Sequence, residues 1–570
     1  MKFSDRFLIL AILSVFVALG QSRKSPKLAP EFQEVDSDQM VDVIVKYKDE
    51  LSNFQRSNAT RRGGHMVRSL DIINSHHYRI PASQLAELAE DPSVEFVHPN
   101  RAVQATGSVQ PDYGRVGLLN LPSPDSDYTY DGTGVTVAVI DSGIDASHDL
   151  GDKGKRVLYS ESFVPGDPSK GDAYGHGTHV SGIVGGHGSS TSTDYVVRGL
   201  APNVNIVNLR VLDKDGLSTD SAVVAAIQRA ISLKTTGKYN IQIINLSLGR
   251  SVTTSYKADP LCQAVEAAWN AGIVVVVAAG NMGRYSATAG YGTIMSPGND
   301  PYVITVGAMN TSGTPDRSDD KMASYSSKGP TAIDHIVKPD LVAPGNRILS
   351  LRASKSNLVN ELRSSLYGTT YFQLSGTSMA APMVSGTAAL MLQQNPNLTP
   401  DQVKAKLMLT ATKNIPAATC ANGQTCPTQA YKFTTAVDPL LGTTYQSYYD
   451  MFTIGAGYLD ANAALLSSSV PTSNFSAASP LASVNATTGA VTVANTAAGT
   501  SVTWGSSVTW GSSVIWGSSV LTGSSVTWGS SVIWGSNTAL ASSVIWGSSA
   551  TWGASTPTPE SFLLSIVGEQ

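Results

Sequence analysis

Three short segments hold side chains whose types could work together as a nucleophilic centre. Val137-Ala138-Val139-Ile140-Asp141-Ser142-Gly143 ends a β-branched run in an acid followed by a turn. Gly175-His176-Gly177-Thr178-His179-Val180-Ser181-Gly182 sets a histidine between glycines at the start of a small-residue helix. Leu374-Ser375-Gly376-Thr377-Ser378-Met379-Ala380-Ala381-Pro382 puts a serine just after a Gly-Thr turn, where an apolar helix begins. A serine hydroxyl attacks carbonyls only when a base removes its proton. That base needs an acid to hold its tautomer and to stabilise the imidazolium. Each segment also has a plainer reading. An Asp after a strand is a turn residue, and a Ser before a helix is a cap. His176 and His179 stand at i and i+3, a metal-ligand spacing, but no glutamate lies between them as in a zinc peptidase helix. Taken together, one acid, one base and one nucleophile at three element ends favour the catalytic reading. The chain order is Asp, His, Ser, and no Gly-x-Ser-x-Gly elbow surrounds Ser378.

The elements that must carry these residues are legible as a pattern. Apolar β-branched runs recur at Val135–Ile140, Ile206–Leu209, Ile243–Leu246, Ile273–Ala278 and Val303–Val306. Helical stretches such as Ser218–Leu233 and Asp259–Asn270 lie between them. Continuous apolar strands alternating with helices predict an α/β fold, a doubly wound and mostly parallel sheet covered on both faces. Ahead of it, residues 21–106 are rich in charges of both signs. A strand at Val41–Val45, a short helix at Ser83–Leu88 and a strand at Val94–Val97 predict a small α+β unit. The main domain is expected over 107–466.

The ends of the chain are unlike the middle. Lys2 and Arg6 precede an apolar run from Phe7 to Leu19 of 13 residues, with small residues at Ala18-Leu19-Gly20. This reads as a secretory signal over 1–20, too short to span a bilayer. The expected compartment is therefore extracellular. There, Cys420 and Cys426, six residues apart, are the expected disulfide pair, and Cys262 reads as a small buried hydrophobe. The net charge of −4 and the 14% charged residues exclude a basic field for nucleic acid. The tail, 467–570, has no Lys or Arg. A Ser-Ser-Val-x-Trp-Gly repeat there holds seven of the eight tryptophans, with Thr522 and Leu540 at the two skipped positions. An even period places every Val and Trp on one face of an extended chain, so the tail reads as β-rich or as disordered low-complexity chain. Its exposed aromatics suit contact with a cell surface, a matrix or itself.

Asp141-Ser142-Gly143, His176-Gly177-Thr178-His179 and Gly376-Thr377-Ser378-Met379-Ala380 resemble the three signatures of the subtilisin-like serine proteases, the subtilases. The resemblance covers roughly residues 130–466, with support in 40–105. It implies that Asp141 orients the base, that His176 is base and then acid, and that Ser378 attacks a peptide carbonyl. It implies Asn281, in Ala278-Ala279-Gly280-Asn281, as oxyanion donor beside the N-terminus of the Ser378 helix. Asn245-Leu246-Ser247-Leu248-Gly249 resembles the edge that pairs with an extended substrate, making Ser247, Leu248 and Gly249 substrate-binding residues. Gly249 leaves room at the pocket mouth and Met282 lines it without charge, so large apolar residues are expected before the scissile bond. The resemblance implies protein or peptide substrates, and a propeptide over 21–106 that inhibits the enzyme until cut within Arg101–Val109. It implies no catalytic cofactor. Asp149 matches a position used for structural calcium, although Ile144–Leu150 is one residue shorter than the common pattern and the loop Gly185–Val196 also differs. Rival readings are a binding protein that keeps the fold, an acyl transferase of the same fold, and an adhesive protein acting through its tail.

Overall fold

The computed structural model describes residues 25–33, 39–48, 59–105, 130–145, 148–150, 155–189, 197–314 and 316–412, with shorter stretches from 415 to 546. Two compact units result, one formed by 1–69 with 74–100 and one by 70–73 with 101–570.

The first unit has both strands and helix. Strand β1 (Met40–Tyr47) buries Val43, Ile44 and Val45 in succession. It pairs antiparallel with β3 (Ser75–Pro81) and β4 (Val94–Pro99), giving the order β2-β3-β1-β4 with β2 at His65–Leu70. Helix α1 (Leu85–Ala89) supplies Leu85, Leu88 and Ala89 to a core with Val43, Val45, Tyr78 and Val97.

The second unit is built on a sheet of eight strands. Five neighbouring strands run parallel in the order β12 (Val274–Ala278), β10 (Ile241–Leu246), β6 (Thr136–Asp141), β8 (Asn205–Arg210), β7 (Val157–Ser162). Strand β13 (Ile304–Asn310) extends it beside β12, followed by β14 (Lys321–Met322) and β15 (Leu341–Pro344). Every residue of β6, β12 and β13 is buried, as strands covered on both faces require. Helices α2 (His176–Gly185), α3 (Asp220–Thr235) and α4 (Pro260–Asn270) make crossovers. Asp259 caps α4 by accepting from the Leu261 amide, with Pro260 at the first turn. Helix α5 (Thr377–Gln394) is buried from Thr377 to Leu392 and packs on β10, β12 and β13. The expected doubly wound sheet is present, and its parallel strands present their carboxyl ends to one side, where α/β sheets form clefts.

Three short strands make a separate antiparallel sheet. Strand β5 (Ala102–Ala105) lies between β11 (Leu248–Gly249) and β9 (Leu217–Thr219). It belongs to the second unit, although it falls on the 21–106 side of the expected boundary. The second unit also runs past residue 466. Val337 donates to the Pro480 carbonyl, Ala482 donates to His335, and the buried Lys404 ammonium donates to Ser479 Oγ at 2.9 Å.

The expected signal segment 1–20, Cys426 and most of the Trp repeat lie outside the described residues. Within the repeat, Val526–Trp528 pairs in parallel with Val544–Trp546, Trp528 opposite Trp546. That register is eighteen residues, or three repeats. Thr522 and Leu540 are separated by the same eighteen residues. Cys262 is fully buried, as expected, and burial raises its thiol pKa.

Candidate active site

Asp141 is the last residue of β6, Ser247 follows β10, and Asn281 stands just beyond the end of β12. His176 opens α2, and Ser378 is the second residue of α5. Five residues spread over 238 positions of sequence therefore meet at the carboxyl ends of three parallel strands and the starts of two helices. Asp141, His176 and Ser378 are all buried, at 1%, 0% and 0% exposure.

Asp141 Oδ1 lies 2.8 Å from His176 Nδ1 and also accepts from the Ser142 amide at 2.7 Å. A carboxylate partner places the proton on Nδ1 and leaves Nε2 as the basic lone pair. Nε2 has no hydrogen-bond partner among the described residues. The close approach depends on Gly177, because a Cβ there would collide with the Gly143 carbonyl and crowd Asp141. Asp172 holds the start of α2. Its Oδ1 accepts from Ser142 Oγ and the Gly175 amide, and its Oδ2 accepts from the Thr178 amide. Ser142 Oγ in turn accepts from the Gly177 amide at 2.8 Å. Burial raises the Asp172 pKa, against these donors. Sequence reasoning missed Asp172. An acid four residues before a helix-opening histidine was the available signal.

His179 does not join His176 as a metal pair. Its Nε2 faces two acceptors, the Ile348 and Phe372 carbonyls, each at 3.0 Å, and so carries the proton. Burial, helped by His176, pushes its pKa down to about 3.

Ser378 Oγ donates to the Ser247 carbonyl at 2.9 Å, and Ser247 Oγ donates to the Ser378 carbonyl at 2.9 Å. Asn245 Nδ2 donates to Ser247 Oγ, and Ser385 Oγ donates to Asn245 Oδ1. This chain of polar groups fixes the Ser247 edge to α5. Asn281 Oδ1 accepts from the Thr377 amide at 3.0 Å and from Thr377 Oγ1 at 2.9 Å. A backbone N–H can only meet the oxygen of an amide side chain, so the orientation is settled and Nδ2 is the end left to donate. Sequence reasoning missed Thr377 too, because a residue between Gly and Ser reads as a spacer. The α5 N-terminus directs its dipole at the same place. The set can move a proton from a hydroxyl to an imidazole and receive an oxyanion. Asn281→Leu is expected to lower kcat by about 10²–10³ with KM little changed, as removal of such a donor does in subtilisin itself. Steady-state kinetics on a peptide substrate checks it.

Leu248 and Gly249 of β11 pair with Ala105 and Gln104 of β5, whose other edge pairs with β9. A Cβ built on Gly249 would stand 3.0 Å from both Met295 Cβ and the Ser296 carbonyl oxygen. The two outer strands are tied by a buried ion cluster that sequence reasoning also missed. Arg250, just after β11, bonds Asp220, just after β9, at 2.7 Å and 3.1 Å, and Asp259 at 2.8 Å. Burial pushes Asp220 up to about 6 against the pull of Arg250. An arginine after glycine reads as a solvated turn residue, so no local signal marked it.

Asp149 is fully buried, and its Oδ1 accepts from Ser189 Oγ at 3.0 Å. Among the described residues no group of three or more His, Cys, Asp or Glu could hold a metal ion.

Comparison with known proteins gives a consistent picture. The subtilase family model of peptidase S8 matches residues 132–430. Serine protease AprX of Bacillus subtilis is 40% identical over 332 residues, 57% of this chain and 71% of that protein. Subtilisin E of the same species is 33% identical over 375 residues, 65% of this chain and 84% of that protein. Among solved structures, fervidolysin from Fervidobacterium pennivorans, a keratinolytic enzyme related to subtilisin, aligns with a TM-score of 0.54 at 23% identity. The alignment covers 76% of this chain and 62% of fervidolysin, and it speaks for the fold alone.

Proposed function

The chain belongs to the subtilase family of serine endopeptidases, and we propose that it is a secreted enzyme that cuts itself from an inhibitory N-terminal propeptide and then hydrolyses other proteins. In this reading Ser378 turns its hydroxyl from the Ser247 carbonyl toward His176 Nε2, which takes the proton as Ser378 attacks the carbonyl carbon. Asp141 keeps the imidazole in the required tautomer and stabilises its protonated form. Asn281 Nδ2 and the α5 N-terminus receive the oxyanion. His176 then returns the proton to the departing amine, and water releases the acyl group by the same steps in reverse order.

One observation carries the self-processing part. Residues 102–105 form the middle strand between β11 and β9, antiparallel to both. Main-chain pairing of this kind is how an extended peptide is held at a sheet edge. Ala105 lies opposite Leu248. One more residue in the same register would set Thr106 against Ser247, the residue that holds the Ser378 hydroxyl. The bond proposed for self-cleavage is therefore Thr106–Gly107, inside the window expected from the sequence and matching the 21–106 propeptide.

Secretion rests on the N-terminal apolar run. Among the described residues no helix is long and apolar enough to cross a membrane. The tail after the clamp at Ser479 is proposed as a surface, matrix or self-contact region.

The test is a serine-directed fluorophosphonate. Peptide mapping is expected to find the adduct on Ser378, with casein hydrolysis lost in proportion, and intact mass is expected to show a mature N-terminus at Gly107. Labelling at another residue, or hydrolysis that survives full labelling of Ser378, overturns the reading.

A further inference from the structure

Selectivity before the scissile bond is a property of the peptidase reading and rests on it. The residue whose carbonyl is attacked must lie opposite Ser247, with its oxygen facing Asn281. Its side chain then enters between two walls, Ser247–Gly249 on one side and Ala279–Asn281 on the other. Both walls contain a glycine, at 249 and 280. From sequence, Gly249 reads as room at the pocket mouth.

Met295 occupies the slot. A Cβ on Gly280 would stand 2.7 Å from Met295 Cγ and 2.9 Å from Sδ. A Cβ on Gly249 would meet Met295 Cβ at 3.0 Å and Sδ at 3.6 Å. The same thioether side chain therefore fills the space where a side chain on either glycine would stand. It is only 6% exposed. Its backbone is held as well, the amide donating to the Ala279 carbonyl at 3.0 Å and the carbonyl accepting from the Asn299 amide at 3.1 Å. Gly249, Gly280, Met282 and Met295 bring no charge to the slot.

We propose that Met295 is a specificity-determining residue that restricts the position before the scissile bond to small uncharged side chains such as Ala, Ser and Thr, in place of the large apolar ones expected from Gly249. The chain's own sequence agrees. The bond proposed for self-cleavage follows Thr106, preceded by Ala105. A Phe or Leu would have to displace a buried side chain whose backbone is fixed on both sides. Methionine is flexible enough that the barrier is one of degree, and pocket changes of this size alter selectivity by roughly 10–200-fold.

The test uses the mature protein and tetrapeptide anilides that differ only in the last residue, Ala, Thr, Leu or Phe. Wild type is expected to favour Ala and Thr over Phe by at least about tenfold in kcat/KM. Met295→Ala is expected to shift the Phe-to-Ala ratio toward Phe by about 10–100-fold. Met295→Leu keeps the volume and is expected to keep the wild-type ranking, which separates slot filling from loss of fold. A wild type that favours Phe, or a ratio unmoved in Met295→Ala, overturns the proposal while the peptidase reading stands. If no anilide is cut and fluorophosphonate does not label Ser378, the peptidase reading itself fails, and this inference falls with it.

Discussion

Ser378→Ala is expected to abolish peptide hydrolysis, a loss of about six orders of magnitude in kcat, the size that removal of the same serine has in subtilisin. The fall is that large because acid, base and nucleophile act as one unit: without the hydroxyl, the Asp141–His176 pair has no proton to take. The variant should still fold. The hydroxyl it loses bonds the Ser247 carbonyl, and the reciprocal bond from Ser247 Oγ to the Ser378 carbonyl is untouched. Removal of one such neutral bond costs about 0.5–1.5 kcal/mol. Intact-mass measurement gives a second readout. The variant should leave the cell still joined to residues 21–106, because the Thr106–Gly107 bond meets no nucleophile. A variant precursor cut at the same bond as wild type would assign maturation to another protease.

The second large effect is at Asp141. Asp141→Asn preserves shape but changes what faces His176 Nδ1. Asp141 Oδ1 serves both the Ser142 amide and His176 Nδ1. An Asn oxygen there keeps both contacts but brings no negative charge to stabilise the imidazolium, and an Asn turned the other way puts its NH₂ on Nδ1, moves the proton to Nε2 and leaves no base toward Ser378. The expected loss is about 10⁴ in kcat, as for the same exchange in another serine protease triad. The rate of fluorophosphonate labelling should fall in parallel, because that reaction uses the same proton transfer. A loss below about tenfold would mean that Asp141 does not set the tautomer.

Much of this molecule can be read from local sequence. The continuous Val and Ile runs at 137–140 and 274–277 had to be doubly covered strands, because nothing else buries every side chain in succession. The glycines flanking His176, and Gly376 before Thr377 and Ser378, mark sharp turns into helices. Those turns are local backbone requirements, visible without any partner. The types and order of Asp141, His176, Ser378 and Asn281 were legible for the same reason.

The tertiary structure decided what depends on residues far apart in the chain. Asp172 reads as a loop acid until the fold sets it under the amides of 175 and 178. Arg250 reads as solvated until crossovers bring Asp220 and Asp259 around it, where burial makes ion pairing obligatory. The slot beside Gly249 reads as open because a missing side chain is a local fact. Whether another side chain fills the space is not local, and Met295 arrives there only after an intervening helix and the strand Val274–Ala278 have been laid down. Sequence by itself determined which chemistry this chain carries, since that needs only the right groups at element ends. Folding decided how much room the substrate has, since room is set by whatever packs against the walls.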